Sequence, residues 1–290
     1  MKKVSSILGK HRHWLSRSPV VVAQELEFLD EDLASDSLLG FDNVSDSLGM
    51  LAVHYGIQGE VAIFDGDETG WENVARSMMY RYWALMLKAR SFSNTRFLQG
   101  IKTVPDLSNH LSHAACLLAA FMAADRRDLA SSTADVLAGM LSVPGAVDAR
   151  FMKARHFEPF MLWLYSVYSQ QGAVAQIESM NLGIYQSVID NWNDEQQLAV
   201  VLEELGRYHL ANAQDNGGAW KPEFKSPPFD LLLVEVGAIY RARQQLGLPS
   251  PTVTNPLLYV GTAASRHLVF SPDELVVRVE SAYRRFFGGT

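Results

Sequence analysis

Residues 69–91, TGWENVARSMMYRYWALMLKARS, decide the fold class of this chain. Apolar side chains recur in this stretch every three or four residues, at Trp71, Val74, Met78, Tyr82, Leu85 and Ala89. That spacing places them on one face of an α-helix, and Thr69 is a suitable residue to cap the first turn. The stretch therefore predicts a long helix with one buried face.

Helical patterns extend over most of the chain. Helices are predicted at 19–36, 42–56, 155–170, 173–191, 194–214, 229–247 and 271–287, and as a hairpin over 106–144 that turns near Asp125. Only residues 59–64, GEVAIF, have the composition of a strand, and strands and helices do not alternate. We expect an all-α fold: an irregular stack of antiparallel helices with at most one short strand.

Length and composition are those of a globular protein. At 290 residues, with 48% hydrophobic residues, the chain can form a single helical domain over 1–290, or two packed halves. These halves would be an acidic N-terminal half, 1–145, and a C-terminal half, 146–290. The lone cysteine, Cys116, suits a reducing compartment. The basic N-terminal stretch with His11 and His13 is expected to be a solvated end. Neither a signal peptide nor a membrane span is predicted, so the expected location is the cytoplasm.

Acidic residues are concentrated in the N-terminal part of the chain. Residues 18–75 contain no lysine or arginine but hold 13 of the 32 acidic residues: Glu25, Glu27, Asp30, Glu31, Asp32, Asp36, Asp42, Asp46, Glu60, Asp65, Asp67, Glu68 and Glu72. Basic residues follow, from Arg76 to Lys102. Two interpretations remain open. Either the two stretches fold against each other and neutralise, or the acidic stretch stays exposed as one field that attracts a basic partner.

Residues 64–76, FDGDETGWENVAR, have some features of a calcium-binding loop. Asp65, Asp67 and Gly70 occupy the first and third ligand positions and the turn-glycine position of an EF-hand. The twelfth position, which needs a bidentate glutamate, is Arg76, and no second loop is present. We therefore predict no metal site and interpret the segment as an exposed acidic loop. In that loop Trp71 either anchors a partner or begins the core face of its helix.

Two groups of residues have a chemical interpretation beside a structural one. His110, His113 and Cys116 lie three residues apart on one helix, a spacing that favours a packing stripe over a zinc or Cys–His site. His156 and Glu158 suit either acid–base chemistry or helix capping. Phosphate-binding and nucleophile-elbow motifs are absent from the sequence.

Glu235 is the most unusual carboxylate. It lies inside LLLVEVGAIY, residues 231–240, a run that is apolar on nearly every face of a helix. A buried carboxylate is costly unless it is paired, so we expect an ion pair with an arginine of a neighbouring helix. A functional role is the alternative. The sequence predicts no catalytic residue, no cofactor and no enzymatic activity.

Residues 205–258 contain a His in a late helix (His209) and a proline-bounded loop. An apolar helix with an internal Glu (Glu235), an Arg-x-Arg…Gly-Leu-x-x-Pro exit and an Asn-Pro-Leu-Leu turn follow. This segment resembles the C-terminal part of helical immunity proteins of bacterial polymorphic toxin systems, most of all immunity protein family 49. It covers under a fifth of the chain. The resemblance implies a non-enzymatic antitoxin that blocks a cognate toxin in the cytoplasm, and it transfers no site residue.

Charge and resemblance together suggest a function. We expect an immunity protein whose partner is a cognate toxin domain with a basic cleft, because carboxylates can occupy a site built for phosphates. Neither nucleic acid nor a membrane is an expected partner. The predicted contact residues are Asp30, Glu31, Asp32, Asp36, Asp42, Asp46, Asp65, Asp67, Glu68, Trp71 and Glu72. The alternatives are a helical scaffold that binds peptides and an all-helical enzyme that uses Glu235, His156 and Glu158.

Overall fold

The computed structural model describes residues 2–93, 107–142, 147–148, 155–170, 181–213 and 222–288. These residues form twelve helices and no strand, which confirms the all-α class. They belong to two compact units. Unit 1 comprises the described residues of 1–107 and 268–290, and unit 2 comprises those of 108–267.

Each unit has a helix, or a pair of helices, around which the others pack. Unit 1 contains α1 (Lys2–Leu15), α2 (Ser18–Ser35), α3 (Leu38–Phe64), α4 (Gly70–Ser93) and α12 (Glu274–Phe287). Unit 2 contains α5 (Ser108–Ala123), α6 (Arg127–Ser142), α7 (Phe157–Ser169), α8 (Tyr185–Asp190), α9 (Glu195–Ala211), α10 (Val234–Gln245) and α11 (Pro256–His267). In unit 1, α3 contacts α1, α2 and α4. In unit 2, α5 and α10 contact each other, and both contact α7 and α11.

The boundary between the units differs from the division at residues 145 and 146 that the sequence suggested. Helix α12 packs against α4, so the last described residues belong with the N-terminal helices. Phe41, near the start of α3, contacts Phe286 and Phe287 of α12, with ring centroids 4.9 and 5.3 Å apart. An aromatic cluster of this kind joins segments that are distant in sequence, and no local pattern indicates such a pairing.

Helix α3 is longer than the sequence indicated. Gly56 was expected to end it, and residues 59–64 were expected to have strand character, but both lie inside the helix. The strand expectation is wrong, since packing against α4 overrides the β-propensity of Val61, Ile63 and Phe64. A Cβ at Gly59 would lie 2.6 Å from Val74 Cγ2 and 2.7 Å from the carbonyl oxygen of Gly70. Glycine at this position allows close approach of two helices and does not mark a chain reversal.

The turn between α3 and α4 has the geometry of a Schellman motif. Gly66 adopts a left-handed conformation with φ of 87°. Its N–H donates to the Ile63 carbonyl at 3.1 Å, and the Asp67 N–H donates to the Ala62 carbonyl at 2.9 Å. Both bonds satisfy carbonyl groups that the end of a helix leaves free. Helix α3 therefore ends at Phe64, and a five-residue turn leads into α4.

Several predicted helices are confirmed. Helices α2, α4 and α12 lie within three residues of their predicted bounds. Helices α5 and α6 form the predicted hairpin, where Asp125 adopts a left-handed conformation with φ of 56°. Asp194 caps α9 by accepting from the N–H groups of Gln196 and Gln197 at 3.1 and 3.0 Å. Residues 106, 143–144, 173–180 and 214 of the predicted helices lie outside the described residues.

Three helices were predicted incompletely or missed. Helix α1 replaces the expected solvated end, because Val4, Ile7 and Leu8 form an apolar face that packs on α3. Helix α11 begins at Pro256, inside the Asn-Pro-Leu-Leu segment that was interpreted as a turn, and Pro is well tolerated in the first turn of a helix. Helix α10 begins at Val234, five residues later than predicted, and is buried as expected. Of the described helices, none combines the length and hydropathy needed to cross a bilayer.

Two glycines of α3 test the importance of the close α3–α4 contact. We expect Gly59→Ala to lower the free energy of unfolding by about 1–3 kcal/mol, because the new methyl group overlaps Val74 and the Gly70 backbone. Gly49→Ala is the matched control: no atom lies within 4 Å of its added Cβ. Higher helix propensity should raise its stability by up to about 1 kcal/mol. Urea unfolding of both variants gives the comparison, and equal effects of the two substitutions would contradict this packing.

Candidate functional site

Helix α3 divides the predicted contact residues into two groups. The first acidic cluster lies around the α2–α3 turn and the start of α3 and comprises Asp30, Glu31, Asp32, Asp36, Asp42 and Asp46. The second acidic cluster lies at the α3–α4 turn and comprises Asp65, Asp67, Glu68 and Glu72. Helix α3 has 27 residues and therefore spans about 40 Å. Since electrostatic interactions in physiological salt are screened over about 8 Å, the clusters act as separate surfaces rather than as one field.

The first acidic cluster is largely paired with basic residues of its own unit. The ion pairs are Asp30–Arg278 at 2.6 Å, Asp36–Arg285 at 3.4 Å, Asp42–Lys88 at 2.6 Å and Asp46–Lys88 at 3.1 Å. Asp32 accepts a hydrogen bond from Asn43 at 3.1 Å. Lys88, which pairs with this cluster, belongs to the basic stretch 76–102. The two arginines, Arg278 and Arg285, belong to α12. Neutralisation by the basic stretch, one of the two interpretations left open, therefore applies to Asp42 and Asp46, while α12 pairs with Asp30 and Asp36.

The second acidic cluster keeps most of its charge. Asp65 pairs with Arg12 of α1 at 2.5 Å, and both side chains are about half exposed. Glu68 and Glu72 are exposed and form no ion pair with any described residue. The turn therefore carries four carboxylates and one cation, Arg12, which is paired with Asp65. This turn is an exposed, net-negative surface at the end of a helical hairpin.

Residues that suggested a calcium loop have other partners. Asp67 Oδ1 accepts from the Thr69 N–H at 2.9 Å and from the Thr69 hydroxyl at 2.7 Å, and these hydrogen bonds lower the pKa of Asp67. Thr69 therefore donates to Asp67, although α4 begins directly after it as predicted. Arg76, at the position where a calcium loop needs glutamate, pairs with Asp273 at 3.4 Å and lies over the Tyr55 ring.

Trp71 does not reach solvent. Only 6% of its surface is exposed, and it lies on the same face of α4 as the fully buried Val74 and Met78. Its interpretation as an aromatic anchor for a partner is wrong, and the alternative interpretation, the first core residue of α4, is correct. The spacing of apolar residues continues without a break from Trp71, so the helix buries it with the rest of the face.

Glu235 is completely buried, as expected, but its partner is a histidine. Oε1 of Glu235 lies 2.7 Å from Nδ1 of His209, which is also fully buried on α9. The His209 ring stacks on Phe224 with ring centroids 3.9 Å apart. The expected arginine of a neighbouring helix is wrong, because the group that α9 places against the Glu235 carboxylate is the His209 imidazole. His209 and Glu235, two residues of the 205–258 resemblance, are thus direct partners.

Glu223 is a buried carboxylate that sequence reasoning missed. Its Oε1 accepts from the N–H groups of His156 and Phe157 at 2.9 and 3.2 Å, at the beginning of α7. Its Oε2 accepts from the Tyr208 hydroxyl at 2.5 Å. A helix N-terminus has free N–H groups and a partial positive charge, which a carboxylate satisfies. No local signal predicts this contact, since Glu223 is far from α7 in sequence.

His156 and Glu158 do not form an acid–base pair. Glu158 is fully buried and bonded to Arg155, whose guanidinium group also donates to Ser112. Burial raises the pKa of the Glu158 carboxyl, and the positive charge of Arg155 opposes that increase. His156 Nδ1 instead lies 2.8 Å from the Asn181 carbonyl oxygen, so it donates to this acceptor. The two side chains have separate structural partners.

The His110, His113 and Cys116 stripe lies on α5, the central helix of unit 2. His113 Nε2 lies 2.9 Å from the Ser226 hydroxyl, and the rings of His110 and His113 are 6.1 Å apart. Cys116 is 1% exposed. Because the thiol is buried, a substrate in solvent cannot reach it, which makes Cys116 a poor candidate for a nucleophile.

Comparison with known proteins gives no relative. No family model matches the chain, no curated protein matches it, and no solved structure matches it. The resemblance to immunity protein family 49 therefore rests on the sequence features of residues 205–258 alone. Inference about function depends on the surfaces and contacts of the chain itself.

The buried His209–Glu235 pair predicts strong energetic coupling. We expect Glu235→Leu and His209→Leu each to lower the free energy of unfolding by about 3 kcal/mol or more, because each leaves a buried polar partner alone. The double variant should lose at least about 1 kcal/mol less than the sum of the single losses. Urea unfolding of the four proteins measures the coupling. Additive losses would show that the two side chains do not depend on each other.

Proposed function

We propose that this chain is an immunity-type inhibitor that binds a cognate toxin domain through the second acidic cluster. The observation that carries the proposal is the exposed α3–α4 turn, where four carboxylates face one paired cation. The resemblance of residues 205–258 to helical immunity proteins supports the same function. Catalysis is not part of the proposal.

Recognition would follow from charge complementarity. Toxins that act on nucleic acids or nucleotides have basic clefts, since their substrates are anionic. Carboxylates held at a fixed turn can take the place of substrate phosphates, and their field increases the rate of encounter. The α3–α4 turn is held by the Gly59–Gly70 contact and by the hydrogen bonds around Gly66. Such preorganisation limits the entropy lost on binding.

The first acidic cluster is the less suitable surface. Its aspartates pair with Lys88, Arg278 and Arg285, so a basic partner would have to displace those cations. Exposed ion pairs contribute at most about 1 kcal/mol each, but they place three cations among six carboxylates and so weaken the field that steers association. The proposal therefore uses only four of the predicted contact residues: Asp65, Asp67, Glu68 and Glu72.

An enzyme remains the second candidate because of the His209–Glu235 pair. The carboxylate binds Nδ1, while Nε2 of His209 and Oε2 of Glu235 have no hydrogen-bond partner among the described residues. A carboxylate on Nδ1 is the arrangement that orients a histidine as a general base. Both side chains are, however, 0% exposed, which favours a structural role. The two functions can be distinguished by testing whether a variant that lacks the Glu235 carboxylate still protects cells from the toxin.

The second acidic cluster gives the main prediction. We expect Glu68→Gln/Glu72→Gln to slow association with the toxic domain encoded beside this gene by about tenfold or more, and to weaken the salt dependence of the rate. Glu27→Gln/Glu31→Gln is the matched control, since both glutamates are exposed, four residues apart and without an ion pair to any described residue. The control should associate at the wild-type rate. Stopped-flow or surface-based kinetics at several salt concentrations measures both.

Other outcomes would reject parts of the proposal. Equal rates for the wild type and both variants would exclude the second cluster as the contact surface. Failure of the wild type to bind any neighbouring gene product would exclude the inhibitor function. In cells that express the toxic domain, folded Glu235→Gln should still protect, and loss of protection by the folded variant would favour the enzyme.

A further inference from the structure

Unit 2 contains a polar cavity of about 250 Å³ between α10, α11 and the segment that connects them. Arg241 of α10 and Arg266 of α11 both line it, together with hydroxyl and amide side chains that include Gln244 and Ser250. None of the described residues that line the cavity is a carboxylate. Two cations in one cavity of an acidic chain, without a neutralising acid in its wall, favour an anionic ligand.

Arg241 is held in a fixed position. Its Nε donates to the Ala123 carbonyl oxygen at 3.3 Å, and one of its terminal nitrogens donates to Gln244 Oε1 at 3.2 Å. Ala123 is the last residue of α5, so the guanidinium group is fixed between α5 and α10. Its second terminal nitrogen donates no hydrogen bond to any described residue. A planar guanidinium group that is already ordered loses little entropy when it binds an oxyanion.

Arg266 supplies the second charge. It is exposed, lies in the last turn of α11, and forms no ion pair with any described residue. Ser250 adds a neutral hydroxyl group from the connecting segment. The hydroxyls of Thr262 and Ser265 donate to carbonyls of their own helix at 2.9 and 2.8 Å, so the donors that face a ligand are chiefly the two arginines.

We propose that this cavity binds a small phosphate dianion, either free inorganic phosphate or the phosphate group of a monoester. Guanidinium groups bind phosphate oxygens through paired, charge-assisted hydrogen bonds, and two of them match a dianion. The volume is below the range of about 300–1,000 Å³ that encloses drug-sized ligands, so the ligand is small. The site is independent of the proposed toxin contact and lies in the other unit.

Calorimetric titration at constant ionic strength tests the site. The full chain is titrated with inorganic phosphate and, separately, with phenyl phosphate, with sodium chloride as the reference salt. We expect saturable binding at one site, weakened tenfold or more by Arg266→Gln and by Arg241→Lys, which keeps the charge but not the fork geometry. Arg207→Gln is the matched control on α9. This arginine is exposed, pairs with no described residue other than Glu204, at 3.8 Å, and its variant should bind like the wild type.

The two ligands distinguish the sources of the phosphate group. Tighter binding of phenyl phosphate assigns the site to a monoester, and tighter binding of inorganic phosphate assigns it to the free ion. The proposal is overturned if neither ligand binds better than chloride, or if Arg207→Gln weakens binding as much as Arg266→Gln does. It is also overturned if folded Arg266→Gln changes the thermal unfolding midpoint without changing phosphate affinity, since Arg266 would then only stabilise the end of α11.

Discussion

The contact between Gly59 and Gly70 brings α3 and α4 together where their hairpin turns. A Cβ at Gly70 would lie 2.6 Å from the Gly59 carbonyl oxygen, so only glycine fits on both sides. The left-handed Gly66 then ends α3, and Asp67 and Thr69 lead into α4. Backbone geometry therefore fixes where the second acidic cluster lies. Its carboxylates project from a turn that has little room to move, which is the property that a charge-based recognition surface needs.

The buried carboxylates of unit 2 have a different role from the exposed carboxylates of unit 1. Glu158, Glu223 and Glu235 are all buried, and each has a specific partner: Arg155, the N-terminus of α7, or His209. Such groups are costly to bury and destabilise strongly when one partner is lost. Glu223 connects α7 with α9, and the His209–Glu235 pair connects α9 with α10. We interpret them as determinants of the packing of unit 2, and this interpretation agrees with a binding protein.

Local sequence patterns predicted most of the helices. Where a predicted helix bound was wrong, contacts between distant residues explain the difference. The three- to four-residue spacing from Trp71 to Ala89 correctly gave α4, and Asp194 correctly gave the start of α9. Glycine was the main source of error, because Gly56 was taken as the end of a helix that continues to Phe64, and Gly59 in fact allows close packing against α4. The core role of Trp71 followed from the same spacing, but its sequence position in an acidic loop suggested exposure.

Partners of charged side chains could not be predicted in the same way. Arg278 and Arg285 neutralise aspartates about 250 positions earlier, and His209 pairs with Glu235 through the packing of two helices. Sequence spacing gives no information about such pairs unless homologous sequences reveal covariation. The length of α3 determines how far apart the two acidic clusters lie. A helix predicted to end at Gly56 underestimates the separation of the two clusters. Along the observed helix, their nearest members, Asp46 and Asp65, are 19 residues and therefore about 28 Å apart.

Hydrogen–deuterium exchange of the chain, free and bound to the toxic domain encoded beside its gene, tests the central claim most directly. The account predicts that binding slows amide exchange around the α3–α4 turn, residues 64–73, and leaves the α2–α3 turn, residues 33–40, unchanged. Protection confined to the α2–α3 turn or to unit 2 would contradict the assignment of the contact surface to the second acidic cluster.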